Sequence, residues 1–350
     1  MLILYFLLIV LGIFIKKNKP LFAVMVMFSF MLFAYRYGGA DYTVYQNRFI
    51  WYKETSGFTE LLFTKYISLF HMFNLNFESF MKVSALLCLI LPTYFIWKMS
   101  DYPCRAFAIY MLYSMPIDGI QIRNSISFAF VLIGFIFLLK QEKNSEPLYL
   151  FFVIAASLFH TASILFLIFL PVNRFKNKKI SFEVFFVFFL ELLICYLARN
   201  KLQLFLSGIT SINIGYFLSH AVADNHIIFV YIIKSLIMFL IEYCLIFVQK
   251  RCSKHYDNRY LLFLEKINLV GLFIIPLYFF GVDLYRMQRY LFVLNIVGLF
   301  AKKVYMSSNN RISYYFLSYG GFCVIYYLFL IHTSDYMSTI IPLLNNNVLF

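Results

Sequence analysis

The chain has 350 residues, of which 63% are hydrophobic and only 13% charged, and its mean hydropathy of +0.80 excludes a water-soluble domain. The net charge is +14, but Lys and Arg lie mostly in short links between apolar runs. The positive excess therefore predicts the orientation of a membrane protein and gives no support to nucleic-acid binding.

The apolar runs predict an all-α fold, a polytopic transmembrane helical bundle of about 10–12 spans that forms one domain over residues 1–350. The first run precedes the basic residues Lys16, Lys17 and Lys19, which is the reverse of a secretory signal. We therefore expect a retained span with its N-terminus outside. The candidate spans cover residues 2–15, 21–34, 78–97, 106–117, 124–139, 148–171, 181–198, 227–249, 260–281, 288–301 and 313–332.

The links between these spans predict the topology. When the links are assigned alternately to the two sides, more than half of the basic residues fall on the inside, as the positive-inside rule requires. Two long stretches, residues 35–77 and 199–226, then lie outside. Within the first, residues 61–75 mix apolar side chains with Lys65 and His71, which is typical of an interfacial helix.

One apolar segment, residues 147–171, does not fit this alternation. A single crossing would place the basic residues that follow it, from Arg174 to Lys179, on the outside. We therefore expect two half-helices that meet near His160 and return the chain to the inside, with His160 beside a water-accessible cavity.

Four arginines lie at the outer ends of predicted helices. Guanidinium groups bind phosphate oxygens bidentately and keep their charge when partly desolvated, so the set suits a diphosphate at the level of the lipid headgroups. The alternative is that they anchor helix ends, by snorkelling or by pairing with Asp41, Asp118 and Asp283. The four are Arg36 in YRYGGADY, Arg123 in PIDGIQIRNS, and Arg286 and Arg289 in DLYRMQRY.

His160 and Asp41 are the candidate general bases. Histidine suits proton transfer near neutral pH, but a histidine at a helix break can instead bond a freed backbone carbonyl. Asp41 follows Gly39 and Arg36, so it can activate a hydroxyl or serve as a turn residue and arginine partner. The other histidines and the carboxylates show no metal-ligand spacing, and no cofactor is expected.

Four segments occur in an order that resembles a known family. They are YRYGGADYTVYQ from Tyr35, QIRNSISFAFVLIGFIFLL from Gln121, LYLFFVIAASLFHTASILFLIFLP from Leu148 and FFGVDLYRMQRYLFV from Phe279. Together they resemble the EpsG/Wzy family of bacterial O-antigen and exopolysaccharide polymerases, from Arg36 to Arg289.

The resemblance implies a multi-pass enzyme of the bacterial inner (cytoplasmic) membrane whose active site faces the periplasm. Such an enzyme joins oligosaccharide repeat units carried on undecaprenyl diphosphate, in a fold resembling lipid-linked-sugar glycosyltransferases, with a flippase and a chain-length regulator as partners. Arginines would stabilise the leaving diphosphate without a metal, and His160, in preference to Asp41, would accept the proton of the attacking hydroxyl. The matching positions are Arg36, Asp41, Arg123, His160, Arg286 and Arg289.

Two other functions remain open. A flippase or transporter for the same lipid-linked saccharide is expected to show two-fold repeats, which the sequence lacks. A membrane acyltransferase or ligase would share an outward base, but no carboxylate lies close to His160 in the sequence. Trp51 and Tyr52, in the first outer stretch, either stack on sugars or anchor the chain at the membrane interface.

Overall fold

The computed structural model describes residues 2–39, 41–53, 60–174, 182–209, 225–252, 259–303, 306–331 and 341–348. Within these ranges every regular element is helical, and the single strand-like contact is an isolated bridge between Arg36 and Asn347. The predicted all-α fold is therefore confirmed.

The α-helices of the first half are α1 (Leu2–Phe14), α2 (Lys19–Ala34), α3 (Tyr42–Ile50), α4 (Leu61–Met72), α5 (Phe77–Met99), α6 (Pro103–Leu112), α7 (Ser114–Ile120), α8 (Ile122–Lys140) and α9 (Ser145–Phe159). Those of the second half are α10 (Phe182–Ile209), α11 (Asn225–Cys252), α12 (Arg259–Leu272), α13 (Arg286–Asn295), α14 (Ser308–Tyr326) and α15 (Ile341–Asn345). The predicted interfacial helix at 61–75 corresponds to α4.

Five helical segments of the described residues are long and apolar enough to cross a bilayer. They are Phe77–Met99, Ile122–Lys140, His226–Cys252, Arg259–Phe279 and Ser308–Phe329. Shorter apolar helices accompany them at Leu2–Phe14, Lys19–Ala34, Ser145–Phe159 and Thr161–Asn173. This helix composition is that of a multi-pass membrane protein.

Some observed boundaries differ from the predicted ones. The predicted span 106–117 is divided between α6 and α7, because Pro116 cannot donate to the carbonyl of Leu112, where α6 ends. The helix α10 continues through Arg199 to Ile209, where an outer stretch was predicted, since the residues after Arg199 are good helix formers. Residues 210–224 of that stretch lie outside the described residues.

The segment that follows α8 is a broken hairpin, as predicted. After α9 ends, His160 is extended (φ −149°), and a 3-10 helix runs over Thr161–Asn173. The Tyr149 hydroxyl donates to the Phe166 carbonyl at 2.7 Å. In a continuous helix two residues this far apart in sequence would be about 25 Å apart, so the second arm must run back along the first.

Polar contacts from α8 hold both arms of this hairpin. The Ser127 hydroxyl donates to the Ala156 carbonyl on α9 at 2.8 Å and also bonds the hydroxyl of Ser163 on the 3-10 arm. Irregular backbone at membrane depth is tolerated where it is buried in protein or lines a wet cavity. Through these contacts the Ala156 carbonyl near the break at His160 has a hydrogen-bond donor, and both arms of the hairpin are joined to α8.

The chain groups into two compact units. The first unit comprises Met1–Pro171, Ile296–Val304 and Tyr326–Phe350, and the second unit comprises Val172–Asn295 and Tyr305–Ile325. In the second unit, Asn268 and Asn295 exchange two amide hydrogen bonds of 2.9 Å between α12 and α13. Because unpaired polar groups are costly in a low dielectric, this pair fixes the register of the two helices. The single domain predicted from the sequence stays a prediction.

Close packing between α2 and α7 positions the end of α2 in the first unit. A β-carbon added at Gly119 would come within 2.2 Å of the buried ring of Phe33. The C-terminal segment supports the same region, since the Tyr37 N–H donates to the Asn346 carbonyl at 2.7 Å. These contacts fix the backbone on both sides of Arg36.

We expect Gly119→Ala to lower the free energy of unfolding by about 1–3 kcal/mol, because the new methyl group must displace the Phe33 ring or α2. The measurement is the thermal midpoint of the purified full chain in detergent. Gly320→Ala on α14 is the control, because no described atom lies within 4 Å of its added carbon. Equal midpoints for the two variants would contradict the close contact at Gly119.

Candidate active site

A largely buried carboxylate, that of Glu60, contacts three basic side chains of the first unit. Its Oε2 atom accepts from Nη1 of Arg48 at 2.9 Å and from Nη1 of Arg123. Its Oε1 atom lies 3.0 Å from Nδ1 of His160, and the Glu60 side chain is only 10% exposed. These four residues, Arg48, Glu60, Arg123 and His160, are called the Glu60 cluster below.

Four separate elements supply the Glu60 cluster. Aromatic packing joins α4 to the hairpin, since the ring centroids of Tyr66 and Phe159 are 6.4 Å apart. Arg123 and Ser127 are four residues apart on α8 and therefore lie on the same helix face. Because Ser127 contacts the hairpin, Arg123 also faces the hairpin. The last turn of α3 carries Arg48, the residue before α4 is Glu60, the first turn of α8 carries Arg123, and the break after α9 is His160.

The backbone of Glu60 is in the left-handed conformation, with φ 67° and ψ 46°. This conformation costs a residue with a β-carbon roughly 1–2 kcal/mol, and it persists only where surrounding contacts impose it. At Glu60 those contacts are the three basic side chains of the cluster. The arrangement is therefore one that the tertiary structure enforces on this residue.

The Glu60 carboxyl is ionised at neutral pH. Burial alone would raise its pKa, but the hydrogen bond with His160 and the positive charge of Arg123 outweigh burial and lower the pKa to about 2. An ionised carboxylate has no proton to donate, so Nδ1 of His160 carries the hydrogen between the two groups. In the neutral imidazole, Nε2 is then the nitrogen that can accept a proton.

Arg123 lies at the N-terminal end of α8, where the helix dipole also favours an anion. Its guanidinium lies 5.9 Å from the ring centroid of Tyr45 and 5.8 Å from that of Phe63. Its Nη1 atom contacts Glu60, whereas Nε is buried without a hydrogen-bond partner among the described residues. Arg123 therefore retains donor capacity beyond its ion pair.

Arg36 is buried at the same junction between α7 and α8, with 4% of its surface exposed. Its Nη2 donates to the Ile120 carbonyl at 3.3 Å, while Nε and Nη1 are buried and have no hydrogen-bond partner in the part of the chain that the structure describes. Burial lowers the pKa of this guanidinium, and the nearby Tyr45 and Asp41 oppose that shift. A buried cation with unused donors is costly, so Arg36 is a strong candidate for binding an anion.

Asp41 is exposed and lies at the start of α3. Gly38 and Gly39, with φ 70° and 83°, form the predicted turn before it, and Asp41 itself has φ 61°. Within the described structure no ion pair joins Asp41 to Arg36, and Arg123 pairs with Glu60 instead of an aspartate. The role of Asp41 as a base therefore stays a prediction.

Arg286 and Arg289 begin α13, three residues apart and on one face, as the sequence predicts. Arg289 is fully buried, and its guanidinium lies 5.2 Å from the ring centroid of Tyr290. Both arginines belong to the second unit, whereas the Glu60 cluster lies wholly in the first. Their role in binding diphosphate stays a prediction.

Glu60 and Arg48 are the two members of the cluster that sequence reasoning missed. Acidic residues are scarce, 16 in the whole chain, so each one in an outer stretch is a candidate partner for the arginines. That signal selects Glu60 together with Asp41, Glu54 and Asp224. It cannot choose among them, because the partner of Glu60 at the hairpin is 100 residues away in sequence.

The lowered pKa of Glu60 predicts a pH-dependent contribution to stability. The contribution is complete above the ordinary pKa of 4.5 and is lost as the pH falls towards about 2, and it amounts to roughly 3 kcal/mol. We therefore expect Glu60→Gln to have a lower thermal midpoint than the wild type at pH 7. At pH 3 the difference between the two midpoints should be smaller. Glu78→Gln, at a carboxylate whose side chain is 78% exposed, serves as the control and should change neither midpoint. A Glu60→Gln deficit of equal size at both pH values would contradict the prediction.

Comparison with known proteins identifies the family. A family model described as the EpsG family matches residues 19–345, a range that contains the Glu60 cluster and every site residue predicted from the sequence. No curated protein and no solved structure matches the chain. The chain therefore belongs to the EpsG family, which is linked to exopolysaccharide biosynthesis.

Proposed function

We propose that the protein is a polysaccharide polymerase that joins undecaprenyl-diphosphate-linked oligosaccharide repeat units into exopolysaccharide or O-antigen. The observation that carries this proposal is the Glu60 cluster, in which a largely buried carboxylate bonds two arginines and the histidine at the break of the hairpin. Transfer of a sugar from a diphosphate leaving group needs a base for the proton of the attacking hydroxyl and positive charge that stabilises the diphosphate. The histidine and the arginines of the cluster can supply both.

The proposed reaction is a displacement at an anomeric carbon. A sugar hydroxyl of one lipid-linked saccharide attacks the anomeric carbon of another, the bond from that carbon to the diphosphate oxygen breaks, and undecaprenyl diphosphate leaves. Nε2 of His160 accepts the hydroxyl proton as the new glycosidic bond forms. Glu60 is a positioning residue, because it holds Nδ1 as a donor and stabilises the imidazolium that results.

The arginines are proposed to stabilise the charge that develops on the diphosphate. Arg36 contacts the last residue of α7, Arg123 lies in the first turn of α8, and both have N–H groups without partners in the described structure. The N-terminal end of α8 adds a favourable dipole at the same place. Preorganised donors of this kind contribute typically 100- to 1,000-fold each to the rate. Arg286 and Arg289 are proposed to contribute further donors.

The proposed setting is the bacterial inner membrane, with the site on the periplasmic side. Lipid-linked units would be delivered by a flippase, and a chain-length regulator would decide when extension stops. In this setting no nucleotide sugar is needed, because the polyprenyl diphosphate already activates the anomeric carbon.

A second candidate is a membrane ligase or acyltransferase. The absence of a carboxylate near His160 in the sequence spoke against it, but Glu60 lies 3.0 Å from the imidazole and supplies an oriented base for either reaction. The products differ, since a ligase or acyltransferase modifies a finished glycan and does not lengthen it. Surface-polysaccharide length therefore separates the two functions.

We expect His160→Ala to lower polymerisation at least 100-fold, because the attacking hydroxyl loses its base. The measurement is the surface-polysaccharide ladder on a gel, in a deletion strain complemented with wild type, His160→Ala or the control Glu78→Gln. The deletion and His160→Ala strains should show a single repeat unit without a ladder, and the control strain a full ladder.

Other ladder patterns would contradict the proposal. Loss of even the single repeat in the deletion strain would mean that units do not cross the membrane, as expected for a missing flippase. A ladder of normal length that lacks only a terminal modification would favour the acyltransferase. A full ladder from folded His160→Ala protein would remove His160 from the site.

We expect Arg36→Met to lower polymerisation without lowering the stability of the protein. Replacing a buried, incompletely bonded cation with an apolar side chain of similar length should leave the thermal midpoint unchanged or higher. Polymerisation should fall at least 100-fold, because diphosphate loses a donor. The exposed residue Lys65 on α4 provides the control Lys65→Met, which should alter neither quantity. A lower midpoint with an intact ladder would show that Arg36 is only structural.

A further inference from the structure

A cleft of about 280 Å³ lies at the C-terminal end of α3 in the first unit. Its walls are the end of α3 with the residues that follow it and one side chain from the last turn of α4. The lining residues are Ile50, Trp51, Tyr52, Lys53 and His71. Its volume is close to the lower limit of small-molecule sites, which span roughly 300–1,000 Å³.

The aromatic rings of the cleft are held in a fixed arrangement. The rings of Tyr52 and His71 are stacked, with centroids 4.2 Å apart and an interplanar angle of 17°. Nε2 of His71 donates to the Phe49 carbonyl at 2.8 Å, because a carbonyl can only accept. This hydrogen bond fixes the tautomer of the neutral imidazole and leaves Nδ1 as an acceptor.

The cleft combines an apolar face with polar groups. Trp51 is 55% exposed although indole is among the most readily buried side chains, and the Lys53 ammonium lies 6.0 Å from the Tyr52 ring centroid. A pyranose ring has a matching chemistry, with an apolar face of C–H groups and a rim of hydroxyls. The C–H face suits the indole, and the hydroxyls suit Lys53 as a donor and His71 as an acceptor.

The cleft also lies at a defined distance from the reacting groups. Trp51 follows Arg48 by three residues, and the helix that starts after Glu60 carries His71 in its last turn. His71 is therefore about 16 Å along α4 from Glu60. A sugar in the cleft would be separated from the reacting anomeric carbon by further units of the same chain.

We propose that this cleft binds one pyranose ring of the oligosaccharide, remote from the bond being formed, and thereby contributes to recognition of the repeat unit. This inference rests on the proposed function for the identity of the saccharide. The site itself is defined by Trp51, Tyr52, Lys53 and His71 alone.

Tryptophan fluorescence tests the proposal directly, because the chain has only two tryptophans. Trp97 lies near the far end of α5, where its ring packs on Phe22 at 4.8 Å, so Trp97→Phe leaves Trp51 as the single reporter. The probes are oligosaccharides released by mild acid from the cell's own surface polysaccharide, titrated into the full chain in nanodiscs. We expect a saturable change in Trp51 emission, and at least threefold weaker binding in Lys53→Met.

Activity supplies the second readout. Trp51→Ala should shorten the polysaccharide ladder while single linkages still form, whereas Phe73→Ala, at an aromatic residue that is 65% exposed and does not line the cleft, should leave the ladder unchanged. An unchanged Trp51 emission at millimolar oligosaccharide, or equal ladders from Trp51→Ala and Phe73→Ala, would overturn the proposal.

The two proposals fail in different ways. If Trp51 reports saccharide binding but the deletion strain keeps its ladder, the cleft is a saccharide site in a protein that is not the polymerase. If His160→Ala abolishes the ladder and Trp51 emission does not respond, the polymerase proposal stands and the cleft does not bind the sugar.

Discussion

The ionised carboxylate of Glu60 is the interaction on which the candidate site depends. Without it, the two guanidinium groups would repel each other, and the more buried of them, that of Arg123, would carry a high desolvation cost in a largely apolar protein. Glu60 compensates part of that charge, orients His160 through Nδ1 and fixes one end of Arg123. Because one carboxylate compensates only one of the two guanidinium charges, the cluster remains net positive, which is the charge that the proposed diphosphate ligand requires.

The fold provides this arrangement through the broken hairpin and α8. Ser127 bonds both arms of the hairpin, and Arg123 lies one turn before it on the same helix face, so one helix sets both the position of His160 and the approach of Arg123. The end of α2, held by its contact with Gly119 and by the C-terminal segment, places Arg36 at the adjacent junction. The geometry of the candidate site and the packing of the helices are therefore coupled in the first unit.

Much of this organisation could be predicted from the sequence, because hydropathy and charge act locally. The all-α fold, the break at His160, the turn at Gly38 and Gly39 and the family all follow from patterns within short segments. The pairing of His160 with Glu60 joins residues 100 positions apart, and no periodicity reports such a contact. The predicted span 106–117 is divided after Leu112 because of Pro116, a local signal that the hydropathy pattern does not register. Asp41, the second candidate base, is exposed in the turn at Gly38 and Gly39, and its role stays a prediction.

The most direct test of this account is reconstitution of the reaction. The purified protein in lipid vesicles would be supplied with undecaprenyl-diphosphate-linked repeat units, and both the glycan length and the released undecaprenyl diphosphate would be measured over time. The account predicts dimers and longer products, with one undecaprenyl diphosphate released for each new linkage, and loss of both signals in Glu60→Gln and His160→Ala. Movement of the lipid-linked units across the bilayer without any new linkage would contradict it.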